Sequence, residues 1–191
     1  MAPQSSRMLP LGITAPPFSL RDTVSGHTVS LESFAGTPAL LVTFICNHCP
    51  FVKHILDGFV AFAREFGARG VAVAAISSND VESYPADSPT EMARVAAQKS
   101  FTFPYLYDEL QDVARSYQAV CTPEFFLFDG ERRLAYRGQF DASRPGNKLP
   151  VNGADLRAAC EALLSGAQVP GEQLPSVGCT IKWKGGEAPR F

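Results

Sequence analysis

A chain of 191 residues, 46% hydrophobic and 19% charged, can bury one substantial core but is too short for two large domains. A formal charge of −2 and the lack of any Lys/Arg-rich run exclude a face that neutralises phosphates, so no nucleic-acid partner is expected. Pro10, Pro16 and Pro17 break any secretory apolar stretch, and the longest apolar run, Pro38 to Cys46, is far below membrane-spanning length.

The expectation is a soluble cytoplasmic protein with no membrane partner. In that compartment thiols stay reduced, so the five cysteines are read for catalysis or metal binding and not as a structural framework. In chain order, Phe18-Ser19-Leu20 and Val29-Ser30-Leu31 alternate around a turn at Gly26 and predict a β-hairpin. Ala39 to Ile45 is a short continuous apolar run, as a strand buried on both faces requires. From Cys49 onward Phe51, Val52, Ile55, Leu56, Phe59, Phe62, Ala63 and Phe66 recur at helical spacing until Gly67. Val71 to Ile76 is a second buried strand, so strand, helix and strand form a right-handed parallel unit.

A loop rich in Asp, Ser and Pro, Asn79 to Pro89, precedes a helix opened by Pro89-Thr90-Glu91. Phe103 to Tyr107 reads as extended and Glu109 to about Tyr117 as a helix. Phe125 to Asp129 and Leu134 to Arg137 form an antiparallel pair around Gly130, and Asp155 to Leu164 is a last amphipathic helix. This order is that of a thioredoxin fold: an α/β domain with a central mixed sheet flanked by helices, an N-terminal β-hairpin and a C-terminal tail. Residues 1–166 are expected to form the domain, and 167–191 an irregular extension packed on it.

Cys46-Asn47-His48-Cys49 stands where the first buried strand passes into a helix. A helix N-terminus offers unpaired N–H groups and a positive dipole end, which favour a thiolate, so Cys46 is expected to have a lowered pKa and act as nucleophile. Cys49, one turn on, would be more buried and would resolve the mixed disulfide. His48 between them is expected to stabilise the Cys46 thiolate; the blander reading is an exposed helix-start side chain. The other use of a CxxC is half a zinc site. It needs a second ligand pair, and none is spaced for it, so neither metal nor cofactor is expected.

Thr122-Pro123, just before an apolar strand, is read as a cis-proline turn facing the pair, with the Thr122 backbone free to pair with an incoming peptide strand. Cys121 would lie near Cys46, either tuning it or as a small buried hydrophobe, the latter being preferred. Cys160 falls on the apolar face of the last helix. Cys179, beside the only tryptophan in the tail, is either inert or an additional redox partner if the tail docks over the site.

These stretches resemble the thioredoxin-like proteins of the AhpC/TSA (alkyl hydroperoxide reductase/thiol-specific antioxidant) superfamily. The matching segments are Ala15 to Leu20, Thr43 to Lys53, Phe103 to Glu109, Cys121 to Asp129 and Tyr136 to Gln139. The Ser143-Arg144-Pro145-Gly146-Asn147 loop and the Gly178-Cys179 tail are similar to a bacterial subgroup described as thioredoxin family or thiol–disulfide isomerase proteins. The resemblance implies thiol–disulfide exchange but does not supply the natural substrate; the expected partners are protein or small-molecule disulfide and thiol substrates and an unidentified electron donor, with the oligomeric state open. Two features depart from thioredoxin: Asn47-His48 replaces Gly-Pro, and Leu40 stands where a buried acid is expected. Glu124 is therefore the candidate for moving protons at Cys49, with water as the alternative. A rival enzyme is a peroxiredoxin in which Thr43 and Cys46 bind peroxide, although the accompanying proline and arginine are missing. A third reading is a non-enzymatic redox-sensing domain.

Overall fold

The structure is a computed structural model describing residues 3–186 together with 188 and 189. The first half of the chain forms β1 (Gln4–Ser5), β2 (Ser19–Asp22), β3 (Thr28–Ser30), β4 (Ala39–Phe44), α1 (Pro50–Gly67), β5 (Val71–Ser77) and α2 (Pro89–Gln98). The second half forms β6 (Tyr105–Tyr107), α3 (Asp112–Ser116), β7 (Cys121–Thr122), β8 (Glu124–Asp129), β9 (Leu134–Gly138), α4 (Ala154–Leu164) and β10 (Val177–Thr180).

Every residue of β4 is buried, which is why its sequence is apolar without alternation. It lies between β5, which it pairs in parallel, and β8, which it pairs antiparallel, in a seven-stranded sheet ordered β3-β2-β6-β5-β4-β8-β9. Alternate β4 side chains feed two cores. Leu41 and the following Ile45 face α1, α2 and α4, whereas Leu40, Val42 and Phe44 face α3 and the C-terminal segment. The expected mixed sheet flanked by helices is therefore present.

Helix α1 starts with Pro50, whose missing N–H is no loss in a first turn. Its stripe of Val52, Ile55, Leu56, Phe59, Phe62 and Phe66 is buried against the sheet. Phe59 meets Phe62, Phe103, Phe125 and Phe140 at ring separations of 5.5–6.2 Å, and this packing fixes the end of α1 that carries the cysteine pair.

Helix α3 is shorter than its sequence suggests. Gln111 takes a left-handed conformation (φ 63°), and the Asp108 carboxylate accepts the Val113 and Ala114 N–H groups at 3.4 and 2.9 Å, so the helix begins at Asp112 and not at Glu109. The extension differs from an irregular cover too. Residues 177–180 form β10, the middle strand of a second sheet ordered β1-β10-β7. Beyond it Ile181 and Trp183 are buried with the α3 core, with Arg115 5.3 Å over the indole. Among the described residues no helix is long and apolar enough to cross a membrane.

Candidate active site

Strand β4 delivers Cys46 just past its C-terminal end, and the Cys46–Cys49 loop leads straight into α1. The helix N-cap is Cys49, not Cys46, so the dipole and the free amides of the first turn favour Cys49. Cys46 stands one turn ahead, outside the helix. Both cysteines are fully buried, at 1% and 0% exposure, so Cys49 is not the distinctly more buried of the two.

The Thr122–Pro123 peptide is cis and lies against the pair. Cys46 Sγ is 3.4 Å from the Thr122 hydroxyl, and the Cys49 thiol donates to the Thr122 carbonyl at 3.2 Å. One residue thus holds both sulfurs. Its backbone edge is already occupied: Cys179 of β10 sits opposite Thr122, where the sequence left room for an incoming peptide.

The Asn47-His48 bridge is held by a residue that sequence reasoning missed. Asp87 ends a short 3-10 turn, Pro85–Asp87, and has no exposed surface. It accepts the Asn47 and His48 N–H groups at 2.8 and 3.1 Å, His48 Nδ1 at 2.5 Å and the Asn79 amide at 2.8 Å. Burial works to raise its pKa, but the hydrogen bonds from His48 and Asn79 outweigh burial and hold it below the usual carboxylate range. Asn47 also donates to the Ala86 carbonyl and accepts from Tyr105. The only local signal was an acid directly before the Ser88-Pro89 helix start, a pattern that reads as an ordinary cap.

His48 therefore serves Asp87 first. Its Nδ1 is 3.9 Å from Cys46 Sγ but 2.5 Å from Asp87, and its ring stacks on Tyr84 at 5.0 Å. Asp87→Asn is expected to lower stability by about 2 kcal/mol through loss of these charge-assisted bonds, and to lower the Cys46 pKa by removing a nearby negative charge. Chemical denaturation and ultraviolet titration of the thiolate check the two effects.

The pKa directions of the two sulfurs run opposite to the lowered Cys46 pKa expected from the sequence. The Cys46 thiol donates to Cys49, which pulls the Cys49 pKa down to about 5, with help from Cys179 against the opposing effect of burial. Donation to Cys49, burial and the Asp87 carboxylate push Cys46 well up. The reason is positional: donors and the helix start surround Cys49, while a carboxylate stands beside Cys46.

Glu124, at the start of β8, is buried, and desolvation raises its pKa to about 8. Its Oε2 accepts the Val120 and Cys121 N–H groups at 2.9 and 3.2 Å and lies 3.8 Å from Cys121 Sγ. Its Oε2 is thus bound on the Cys121 side of the loop and not to Cys49. Cys121 is fully buried with its pKa pushed well up by burial and by the Glu124 charge. Thr43 is also buried, and its hydroxyl donates to the Glu124 carbonyl at 2.9 Å, so it is turned to the neighbouring strand and not to Cys46. Cys160 lies in the core under α4.

Cys46, His48 and Asp87 offer three ligand atoms within 4.8 Å of one another and are the described residues with the reach to hold a metal ion. Four N–H donors already converge on Asp87, a setting that suits an anion and opposes a second cation.

Comparison with known proteins bears on the fold and the family. The chain superimposes on an uncharacterized conserved protein from Geobacillus kaustophilus with a TM-score of 0.94 at 50% identity, covering 96% of this chain and 97% of that one. A hypothetical protein from Sinorhizobium meliloti gives 0.92 at 47% identity, covering 94% and 97%. The thioredoxin domain of a thiol-disulfide oxidoreductase from Bacteroides vulgatus gives 0.57 at 19% identity, covering 78% and 98%, a likeness of fold alone. No curated protein sequence matches. The sequence model of the AhpC/TSA family matches residues 11–137, a span running from before the β2–β3 hairpin to β9 and including Cys46, Cys49, Asp87 and Thr122. The chain belongs to the AhpC/TSA family and has its thioredoxin-like fold.

Proposed function

We propose that the chain is a thiol–disulfide oxidoreductase whose Cys46–Cys49 pair cycles between dithiol and disulfide. The observation that carries this reading is the placement of both sulfurs on Thr122.

In this cycle Cys49 first gives up the proton it directs at the Thr122 carbonyl, as its lowered pKa favours, and is then the base for Cys46. As Cys46 attacks one sulfur of a substrate disulfide, its proton passes to Cys49, the substrate S–S bond breaks, and the leaving thiolate is protonated by solvent. Cys49 then loses that proton and attacks Cys46 Sγ, forming the Cys46–Cys49 disulfide and releasing the second substrate thiol. A separate dithiol donor restores the pair. Asp87 keeps the Asn47-His48 bridge in place, and His48 fills the space between that carboxylate and Cys46. Substrates are protein or small-molecule disulfides, and the cytoplasm, which keeps thiols reduced, is the compartment this reading implies.

The test is reduction of insulin disulfides and of a glutathione mixed disulfide with dithiothreitol as donor. Absence of turnover on both, together with a pair that resists oxidation, would overturn the reading. Peroxide consumption separates it from a peroxidase. Thr43→Val is expected to leave any peroxide consumption unchanged and to cost about 1 kcal/mol of stability, because its hydroxyl bonds a buried carbonyl and not the site. Loss of peroxide turnover in this variant would favour the peroxidase.

A further inference from the structure

The cycle above uses two thiols, yet a third lies beside them. Strand β10 runs antiparallel to β7 with Cys179 opposite Thr122, the residue on which both active-site sulfurs rest. The approach is too close for any side chain at the preceding position: a Cβ on Gly178 would lie 2.0 Å from the Thr122 carbonyl oxygen. Cys179 is packed against the core cluster that contains Cys46 and Cys49, and the neighbouring Cys49 sulfur acts with burial to raise its pKa. Cys49 therefore has a sulfur on each side, Cys46 from its own loop and Cys179 from β10.

We propose that Cys179 is a third redox thiol, which exchanges with the Cys46–Cys49 disulfide to give a Cys49–Cys179 disulfide. This rests on the oxidoreductase reading, because the disulfide it consumes is the one that cycle makes. Cys179 attacks Cys49 Sγ, the Cys46–Cys49 bond breaks, the Cys49–Cys179 bond forms, and the electron pair leaves on Cys46. The proton given up by Cys179 balances the one that Cys46 takes. One disulfide replaces another, so no oxidant beyond the original substrate is required.

The exchange is conditional on oxidation of Cys49. In the reduced protein burial and the neighbouring Cys49 sulfur hold the Cys179 thiol up at about 12, with the Lys182 ammonium acting against them. Once Cys49 is in a disulfide its negative charge is gone, and Lys182 opposes burial alone. Cys121 is a poorer partner. It is fully buried, and its thiol is directed to the Glu124 carboxylate at 3.8 Å and the Pro123 carbonyl at 4.0 Å. The product stores the oxidised state under β10 and leaves Cys46 free.

The test oxidises the full chain with one equivalent of diamide, quenches in acid, labels free thiols after denaturation and maps linked peptides by mass spectrometry. The wild type is expected to yield a Cys49–Cys179 pair beside Cys46–Cys49, with Cys46 labelled in the same molecules. Cys46→Ser removes the competing bond and is expected to lower Cys179 labelling at least about twofold. Full labelling of Cys179 in both proteins, with Cys46–Cys49 formed in the wild type, overturns the relay and leaves the oxidoreductase reading standing. Labelling of all five cysteines in the oxidised wild type overturns the oxidoreductase reading and, with it, the relay that consumes its disulfide.

Discussion

Cys46→Ser is expected to lower turnover of a disulfide substrate by at least about a thousandfold, because it removes the atom that forms the first covalent bond. Cys49→Ser is expected to lose turnover to a similar extent by a different route. A serine hydroxyl cannot take the Cys46 proton as a thiolate does, and it cannot attack the mixed disulfide. The variants separate on trapping: Cys49→Ser should retain substrate covalently on Cys46, whereas Cys46→Ser should retain none there. Mass spectrometry after brief exposure to a glutathione disulfide reads this directly. Stable adducts on Cys49 in Cys46→Ser, with none on Cys46 in Cys49→Ser, would reverse the assigned order of attack. Such a reversal would follow the Cys49 pKa, which the Cys46 thiol draws down to about 5.

The second large effect concerns Glu124. Below about pH 4.5 its carboxyl is protonated whether the chain is folded or not. Between about 4.5 and 8 the folded chain keeps a proton that the unfolded chain releases, so this group's contribution falls as pH rises. Over that window the loss amounts to about 5 kcal/mol, and it is constant once both states are ionised. Cys49 acts in the opposite sense: its pKa falls from 9.0 to about 5 on folding, so it adds stability as pH rises between those values. The two oppose each other, and the wild-type profile alone does not expose either. The informative quantity is the difference between Glu124→Gln and wild type in chemical denaturation across pH. The variant is expected to gain on the wild type by several kcal/mol between pH 5 and pH 9. Parallel profiles would show that folding does not raise the Glu124 pKa.

The fold was legible because its central elements carry strong local signals. An uninterrupted apolar run made β4, a 3.6-residue stripe made α1, and the CxxC between them marked the junction. The pairing of the cysteines with Thr122-Pro123 was also readable, because two motifs were both present in one chain. What could not be read was set by residues distant in sequence. Asp87 is 39 positions from His48 and carries no periodic or motif signal, yet it takes four hydrogen bonds at the site. After the Cys49 sulfur and burial, its negative charge helps to push the Cys46 pKa up. Strand β10 was hidden for another reason. Val177-Gly178-Cys179-Thr180 is too short and mixed to read as a strand, and it becomes one only because β1 and β7 supply partners on its two sides.

That double pairing has a consequence for what the site selects. A peptide that seeks the backbone edge of Thr122 competes with a segment attached to the same chain, and a tethered competitor acts at an effective concentration in the millimolar range or above. Extended polypeptides are therefore weakened by the ratio of that concentration to the dissociation constant of β10 itself. On the oxidoreductase reading proposed above, compact disulfides that meet Cys46 without laying a strand along Thr122 are spared this penalty, and small or locally exposed disulfides are the substrates expected to be favoured.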